Sequence, residues 1–122
     1  MASPNPVPSC AFPPDVWTNA LKTVLSEDIR APCGTQAFVK DAPLNLIYVA
    51  DFSRLGAATD AQKSFTFADA GFISENVYLF CSSEGLATVV RASVDKPALS
   101  KKMNLSSTQN IVLAQTVGFP QQ

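Results

Sequence analysis

The sequence predicts one small domain that contains both helices and strands. Two observations predict this class: runs rich in β-branched and other apolar residues at 44–51, 86–92 and 110–120, and helical runs between them that carry capping signals. Taken alone, the order strand, helix, strand, helix, strand indicates a parallel α/β sheet. The length of 122 residues suits one domain with a modest core. We assign residues 1–14 to a proline-rich arm and residues 15–122 to the domain.

The composition excludes several classes of protein. Apolar residues make up 47% of the chain and charged residues 16%, which is typical of a globular protein and not of a disordered one. The net charge of −1 gives no basic surface for nucleic acid. No apolar run is long enough to cross a bilayer, and the N-terminal MASPNPVPSCAFPP lacks the basic and apolar regions of a signal peptide. We therefore expect a cytoplasmic protein that binds neither nucleic acid nor membranes.

The cysteine and histidine content limits the chemistry. Cys10, Cys33 and Cys81 are odd in number and lack C-x-x-C spacing, so they predict neither a disulfide framework nor a zinc site. Cys81 lies in an apolar run, where a buried thiol behaves as a small hydrophobic side chain. Because the chain has no histidine, it lacks the usual general base and the commonest metal ligand. Hydrolases that depend on Ser-His or Cys-His pairs are excluded, and redox or group-transfer chemistry would require a bound cofactor.

The N-terminal third of the chain is predicted to form only short elements. Five prolines within residues 1–14 prevent a helix or a central strand and indicate an extended arm. A short strand-like stretch follows near residues 20–24. Helical turns are predicted at residues 27–30 and 36–40, and prolines and a glycine separate and end these turns.

A strand and a long helix follow. The run LNLIYVAD at residues 44–51 has no strict alternation of apolar and polar residues, which is typical of a strand buried on both faces. Thr59 and Gln62 form a capping-box pattern that begins a helix. The helix is predicted to run to Glu84, where Gly85 supplies a left-handed cap.

The C-terminal half of this helix is apolar around most of its circumference. Along the whole helix, these side chains fall on two adjoining sides. One side carries Phe65, Ala68, Phe72, Asn76 and Leu79, and the other carries Ile73, Val77 and Phe80. A helix of this kind lies at the centre of a domain or in a subunit interface. We therefore predict a dimer or higher oligomer that forms through residues 65–80.

Two further elements complete the domain. The run LATVVRA at residues 86–92 predicts a second strand, with Arg91 inside an otherwise apolar run. Asp95 is expected to cap a short helix that has Pro97 in its first turn. The run NIVLAQTVGFP at residues 110–120 predicts a third strand.

Three segments of the chain resemble the nitroreductase family, in the subgroup related to SagB-type dehydrogenases. They are LIYVADFSRL, DAGFISENVYLFCSSEGLATVVRASVD and QNIVLAQTVGFP, and the resemblance extends over about residues 19–120. The middle segment contains the G-x-x-x-x-N-x-x-L pattern of that family at Gly71, Asn76 and Leu79, followed by G-L-x-T-V. The resemblance implies an α+β fold in which a mixed, mainly antiparallel sheet packs on a long central apolar helix. It also implies a homodimer with FMN at the interface.

An activity and a site are implied by the same resemblance. Family members are FMN-dependent oxidoreductases that take hydride from NAD(P)H and pass electrons to nitroaromatic or quinone-like acceptors. Matched onto this sequence, the FMN-binding residues would be Val90, Arg91, Ala92 and Ser93, with the backbone N–H of Ala92 or Ser93 at the reactive edge of the ring. The expected partners are a second copy of the chain, a nicotinamide and a small aromatic acceptor. No catalytic side chain and no metal ligand is predicted.

Two motifs of the family do not occur in these 122 residues. They are the R-R-S-x-R motif that holds the FMN phosphate and an S-x-x-N segment ahead of the first long strand. The chain resembles the C-terminal half to two-thirds of a family domain. We therefore expect a truncated domain that is inactive alone and binds FMN weakly or not at all. The alternative is a non-catalytic dimeric scaffold or a small-molecule-binding remnant of a nitroreductase.

Several of these residues have a structural alternative. Arg91 could extend to solvent at a strand end or pair with Asp95 or Glu84. Asn76 could join the helix to a loop through hydrogen bonds. Four phenylalanines are expected in the core or an interface: Phe65, Phe67, Phe72 and Phe80. Lys101 and Lys102 are expected at a solvated helix end, and Tyr48 and Tyr78 lack the spacing that acid–base chemistry would require.

Overall fold

The computed structural model describes residues 28–54 and 57–121. The arm at residues 1–14 and the short strand expected near residues 20–24 therefore lie outside the described residues. The described elements, in chain order, are α1 (Arg30–Cys33), α2 (Ala37–Asp41), β1 (Leu44–Asp51), α3 (Asp60–Glu84), β2 (Ala87–Arg91), α4 (Lys96–Lys102) and β3 (Gln109–Gly118).

The three strands form one antiparallel sheet in which β3 is the central strand. Because β1 and β2 both run antiparallel to β3, they are parallel to each other, and α3 connects them across the strand between. The parallel sheet indicated by the order of the elements is therefore wrong, since sequence order does not record that the last strand inserts between the first two. The mainly antiparallel α+β fold implied by the resemblance is confirmed.

Strand β1 is an edge strand and is only partly buried along most of its length. The prediction that it is buried on both faces is wrong, because its six central residues are only partly buried and its two end residues are exposed. A bulge between Tyr48 and Val49 shifts its register against β3. Val112 is the extra residue of β3 at this point, and both it and Ile111 are buried.

The sheet separates two layers of helices. Cross-strand partners share a face, so Ile47 with Ala114 lies on one face and Tyr48 with Leu113 lies on the other. Helices α1, α2 and α4 cover the first face, where the buried core comprises Cys33, Val39, Leu99 and Ile111. Helix α3 covers the second face.

Helices α1 and α2 are both short, and both begin later than the sequence predicted. The first turn was expected at residues 27–30 but forms at Arg30–Cys33, with the Asp28 carboxylate accepting from the backbone N–H of Arg30 at 3.0 Å. Pro32 fits this turn because the first N–H groups of a helix have no intrahelical partner. Helix α2 begins one residue after Gln36.

Helix α3 begins and ends as its capping signals predict. The side chain of Thr59 accepts from the N–H of Gln62, the Gln62 side chain accepts from the N–H of Thr59, and Gly85 adopts the left-handed conformation with φ of 69°. The small residues Ala70, Ser74 and Cys81 are buried. Across residues 28–54 and 57–121, no helix has both the length and the apolar character that a bilayer span requires.

The large apolar side chains of α3 remain exposed in the single chain. They are 42% to 72% exposed and comprise Phe65, Phe67, Phe72, Ile73, Leu79 and Phe80. The sequence left two positions open for this helix, and the exposed side chains favour the subunit interface over burial within one chain, because the sheet covers only one side of α3. An apolar face of this size is the feature that a subunit interface requires.

Helix α4 follows its predicted pattern closely. The carboxylate of Asp95 accepts from the N–H of Ala98 at 3.1 Å, Pro97 lies in the first turn, and Leu99 is fully buried. The N–H of Asp95 also donates to the carbonyl of Pro32 at 3.0 Å, which joins α4 to α1.

Candidate functional site

The four residues that the resemblance assigns to FMN lie at the C-terminal end of β2 and just beyond it. Val90 and Arg91 are the last residues of the strand, and Ala92 and Ser93 follow it. Arg91 is only 6% exposed and Val90 is partly buried, whereas Ala92 and Ser93 are exposed. The site thus combines a buried charge with a short exposed segment of backbone.

The guanidinium of Arg91 donates to neutral acceptors on the face of the sheet that packs on α1 and α2. Its Nη1 donates to the carbonyl oxygen of Cys33, and its Nε donates to Oγ1 of Thr116 at 3.1 Å. Its Nη2 lies 3.5 Å from Oδ1 of Asn45. Burial lowers the pKa of Arg91 from its ordinary value, but guanidinium groups stay protonated in proteins.

The structural alternative predicted for Arg91 is wrong. The side chain does not reach solvent, and its acceptors include neither Asp95 nor Glu84. The pairing of Arg91 with Ala114 places it on the covered face of the sheet, so its side chain points toward the α1–α2 loop. A buried arginine with hydrogen bonds to several neutral groups fixes the position of that loop.

Neighbouring contacts strengthen this attachment. Gly34 lies so close to Arg91 that a Cβ at this position would be 2.6 Å from Nη1. The ring of Phe38 lies 6.0 Å from the guanidinium carbon. On β1, Nδ2 of Asn45 donates to the carbonyl of Val39 at 2.9 Å. The α1–α2 segment is therefore held by side chains from both edge strands.

The outer edge of β2 is closed at one point by helix α3. The backbone N–H of Val90 donates to the hydroxyl oxygen of Tyr78 at 2.9 Å. The exposed residues Ala92 and Ser93 follow directly after this contact, and the N–H of Val94 donates to the carbonyl of Ala92 at 3.0 Å, which forms a turn beyond the strand.

A second buried polar group fixes α3 on the sheet. The Nε2 of Gln115 donates to the carbonyl of Ser74 at 3.3 Å and to Oγ1 of Thr88 at 3.1 Å, and its Oε1 accepts from the hydroxyl of Tyr48. Throughout the described part of the chain, every buried side-chain nitrogen and oxygen has a partner. The register between α3 and the strands is therefore specified by hydrogen bonds as well as by packing.

Comparison with known proteins identifies the family. The sequence model of the nitroreductase family matches residues 12–119, which is most of the chain. The chain belongs to the nitroreductase family. Among curated proteins, none matches it.

Two solved structures are similar to this nitroreductase chain. A candidate nitroreductase from Ralstonia eutropha JMP134 is 36% identical and has a TM-score of 0.69, with 78% of this chain aligned to 46% of the other. A candidate NADH oxidase from Clostridium acetobutylicum is 22% identical with a TM-score of 0.56, with 69% of this chain aligned to 50% of the other. The second likeness concerns the fold alone. The chain spans about half the length of both proteins.

Within this nitroreductase chain, Arg30 and Arg91 are each held by protein groups in different environments. Arg30 pairs with Asp28 at 2.7 Å and donates to the carbonyl of Lys40, while Arg91 is buried. A recess of about 160 Å³ lies beside Ser93, between α1 and the turn that precedes α4. In residues 28–54 and 57–121, no group of His, Cys, Asp and Glu is arranged to hold a metal ion.

Several residues of the site were not singled out from the sequence. Asn45, Thr88, Gln115 and Thr116 all lie in strands and supply the hydrogen bonds on the two faces of the sheet. The available signal was the same as for Arg91, since each is a polar residue inside an apolar run. Tyr78 was considered only for acid–base chemistry. Asn76, expected to join the helix to a loop, is exposed and bonds no described residue through its side chain.

Proposed function

We propose that this chain forms the ring-binding part of an FMN-dependent oxidoreductase, which passes electrons from NAD(P)H to a nitroaromatic or quinone-like acceptor. Membership in the nitroreductase family supports the class of reaction. The observation that carries the proposal is the exposed pair Ala92–Ser93, which follows β2 directly after the Tyr78–Val90 hydrogen bond. It is the segment that the family resemblance assigns to the reactive edge of the flavin.

The described residues fit the edge of a flavin ring. A backbone N–H can hydrogen-bond to a ring nitrogen without competing side chains, and both Ala92 and Ser93 have small side chains that leave the backbone accessible. When bound, FMN would supply the hydride and electron transfer that no side chain of this chain can perform. Arg91 contributes indirectly: its side chain is bound to the α1–α2 loop and holds the strand end in place.

The R-R-S-x-R motif that clamps the FMN phosphate in the family does not occur in these 122 residues. Such a clamp consists of charge-assisted hydrogen bonds, each contributing about 1.5–3 kcal/mol, or roughly 10- to 100-fold in affinity. We therefore expect the purified chain to be colourless and to recognise FMN mainly through its ring. Nitroreductase activity of the chain alone is expected to be absent for the same reason.

Self-association is part of this proposal. The exposed side chains of α3 form an aromatic face, defined here by Phe65, Phe72, Leu79 and Phe80, each at least 60% exposed. A second copy of the chain would cover this face and bring two α3 helices together. A cytoplasmic location is also proposed, and it is supported by Cys33 and Cys81, which are buried free thiols.

Titration with two flavins tests the function. FMN and lumiflavin, which has the ring but no phosphate, are titrated against the protein while flavin fluorescence is followed. We expect saturable quenching by both, with dissociation constants within about threefold of each other because the phosphate adds no charge-assisted bond. Ala92→Pro, which removes the N–H of residue 92, should weaken both flavins equally, and circular dichroism verifies that this variant is folded.

Two outcomes separate the parts of the proposal. Preference for FMN over lumiflavin by about 100-fold would mean that this chain holds the phosphate with residues other than the R-R-S-x-R motif of the family. Absence of saturable quenching by either flavin up to about 1 mM would contradict the proposed function.

The aromatic face of α3 favours a second candidate function, a dimeric scaffold without catalysis. Covering this face requires no flavin, so a scaffold predicts self-association of the flavin-free chain and no quenching of either ligand. Sedimentation equilibrium of the flavin-free protein, together with the titration above, distinguishes the two candidates.

A further inference from the structure

Tyr78 makes a hydrogen bond that is unusual for its position. An edge strand presents backbone N–H groups that are free to pair with another strand or a ligand. On the outer edge of β2, the N–H of Val90 is instead bonded to the Tyr78 hydroxyl at 2.9 Å. Both residues are partly buried, so the bond is shielded from solvent competition.

The position of this bond determines which donor remains for a ligand. From the alternation of N–H groups along β2, we infer that the N–H of Ala92, the first residue after the strand, points to the same outer edge as that of Val90. Tyr78 occupies the first of these donors. The N–H of Ala92 is then the next one available along the edge.

Tyr78 is itself held in a fixed position. One helical turn earlier, the carbonyl of Ser74 accepts from Nε2 of Gln115, which fixes α3 on the central strand. Tyr78 thus extends from a helix whose register on the sheet is set by a buried hydrogen bond. The end of β2 is attached to that helix through Val90.

We propose that Tyr78 is a positioning residue for the flavin-binding segment. It occupies the N–H of Val90 and fixes the end of β2, so that a flavin ring engages the amide of Ala92. This inference rests on the proposed function. No covalent step is involved, and Tyr78 acts through the backbone of β2 without touching the ring.

The test compares Tyr78→Phe with the matched control Tyr48→Phe. Both substitutions remove a partly buried tyrosine hydroxyl that makes one hydrogen bond. Tyr78 bonds from α3 to Val90 of β2, whereas Tyr48 bonds from β1 to Gln115 of β3, so only the first substitution removes the partner of Val90. Amide hydrogen exchange of the flavin-free protein is measured by NMR, and lumiflavin binding is measured by fluorescence quenching. Thermal unfolding shows how far each variant is destabilised overall.

In Tyr78→Phe, we expect exchange at Val90 to accelerate by about tenfold and the lumiflavin dissociation constant to rise by roughly 3- to 10-fold. In Tyr48→Phe, the exchange rate at Val90 and the lumiflavin dissociation constant should both stay within about twofold of the values for the unmodified protein. The melting temperature should fall by a similar amount in the two variants. Equal weakening of lumiflavin in both variants would overturn the proposal, because it would reflect general loosening.

The two proposals fail in different ways. If the unmodified protein binds no flavin, the proposed function fails and the exchange measurement decides the role of Tyr78. Faster exchange at Val90 and Ala92 in Tyr78→Phe alone would then support positioning of this segment. Unchanged exchange at both amides would overturn it.

Discussion

Gly34 and Arg91 are packed so closely that a Cβ on Gly34 would lie 2.6 Å from Nη1 of Arg91. The guanidinium cannot move aside freely, because the same nitrogen donates to the carbonyl of Cys33. The backbone of Gly34, with φ of 158° and ψ of 157°, is also a conformation that residues with a side chain rarely adopt. Glycine is therefore required here by its neighbour and by its backbone.

Gly34→Ala should lower the free energy of unfolding by about 1–3 kcal/mol, as overpacking of a filled core does. Gly71→Ala is the matched control, because no atom lies within 4 Å of its Cβ position and it is in the exposed middle of α3. Replacing a helical glycine should raise stability by about 0.5–1 kcal/mol. Urea unfolding measures the free energy of unfolding of both variants. An equal change in the two variants would contradict the close packing at Gly34.

Arg91→Met should lower the free energy of unfolding by at least about 2 kcal/mol, since hydrogen bonds to a charged group contribute about 1.5–3 kcal/mol each. Methionine keeps most of the buried stem, so the loss reports on the guanidinium. Lys101→Met is the control, because it removes one positive charge from an exposed position. A loss no larger than that of the control would show that Arg91 does not hold the α1–α2 loop.

Local signals in the sequence predicted the helix ends well. The capping box of Thr59, the left-handed Gly85 and the Asp95 cap of α4 were all confirmed, because each involves residues within three or four positions of one another. The first turn was misplaced by three residues. Pro32 was interpreted as a break, although a proline is tolerated in the first turn of a helix.

Properties that depend on distant contacts were harder to predict from sequence. The insertion of β3 between β1 and β2 follows from strand pairing, and neither the order of the elements nor the family resemblance predicted it. Apolar residues all around α3 could not show which side faces the sheet, and the small residues Ala70 and Ser74 do so. For Arg91, the acceptors lie 25 to 58 residues away, so no local pattern identifies them.

Phe72→Glu should prevent self-association while leaving the protomer folded. Phe72 is 72% exposed in one chain, so the new carboxylate would be buried only when a second copy covers the aromatic face. Light scattering over a range of protein concentrations measures the mass, and circular dichroism measures the fold. Lys101→Glu also introduces an exposed carboxylate, on α4, and should leave the mass unchanged. A monomeric unmodified chain at micromolar concentration would contradict the predicted assembly.

The buried thiol of Cys33 and the partly buried hydroxyl of Tyr48 are expected to make the free energy of unfolding sensitive to alkaline pH. Burial raises the pKa of the Cys33 thiol, and burial together with the neighbouring Cys81 and Tyr78 raises the pKa of Tyr48. In the unfolded chain these groups lose their protons from about pH 8.5 and about pH 10. In the folded state, Cys33 and Tyr48 keep their protons to higher pH. The unfolded state therefore binds fewer protons than the folded state in this alkaline range, and raising the pH favours unfolding.

We therefore expect the free energy of unfolding to be constant just below about pH 8 and to fall progressively from about pH 8.5 to 10.5. Cys33→Ala should remove the earlier part of this fall, and Tyr48→Phe should remove the later part. Both substitutions also change packing or hydrogen bonding. The comparison therefore uses the slope of the free energy of unfolding against pH and not its absolute value. Urea unfolding at constant ionic strength measures these slopes. If Cys33→Ala loses stability with pH as steeply as the unmodified protein between about pH 8.5 and 10, the buried thiol is not the source of the alkaline sensitivity.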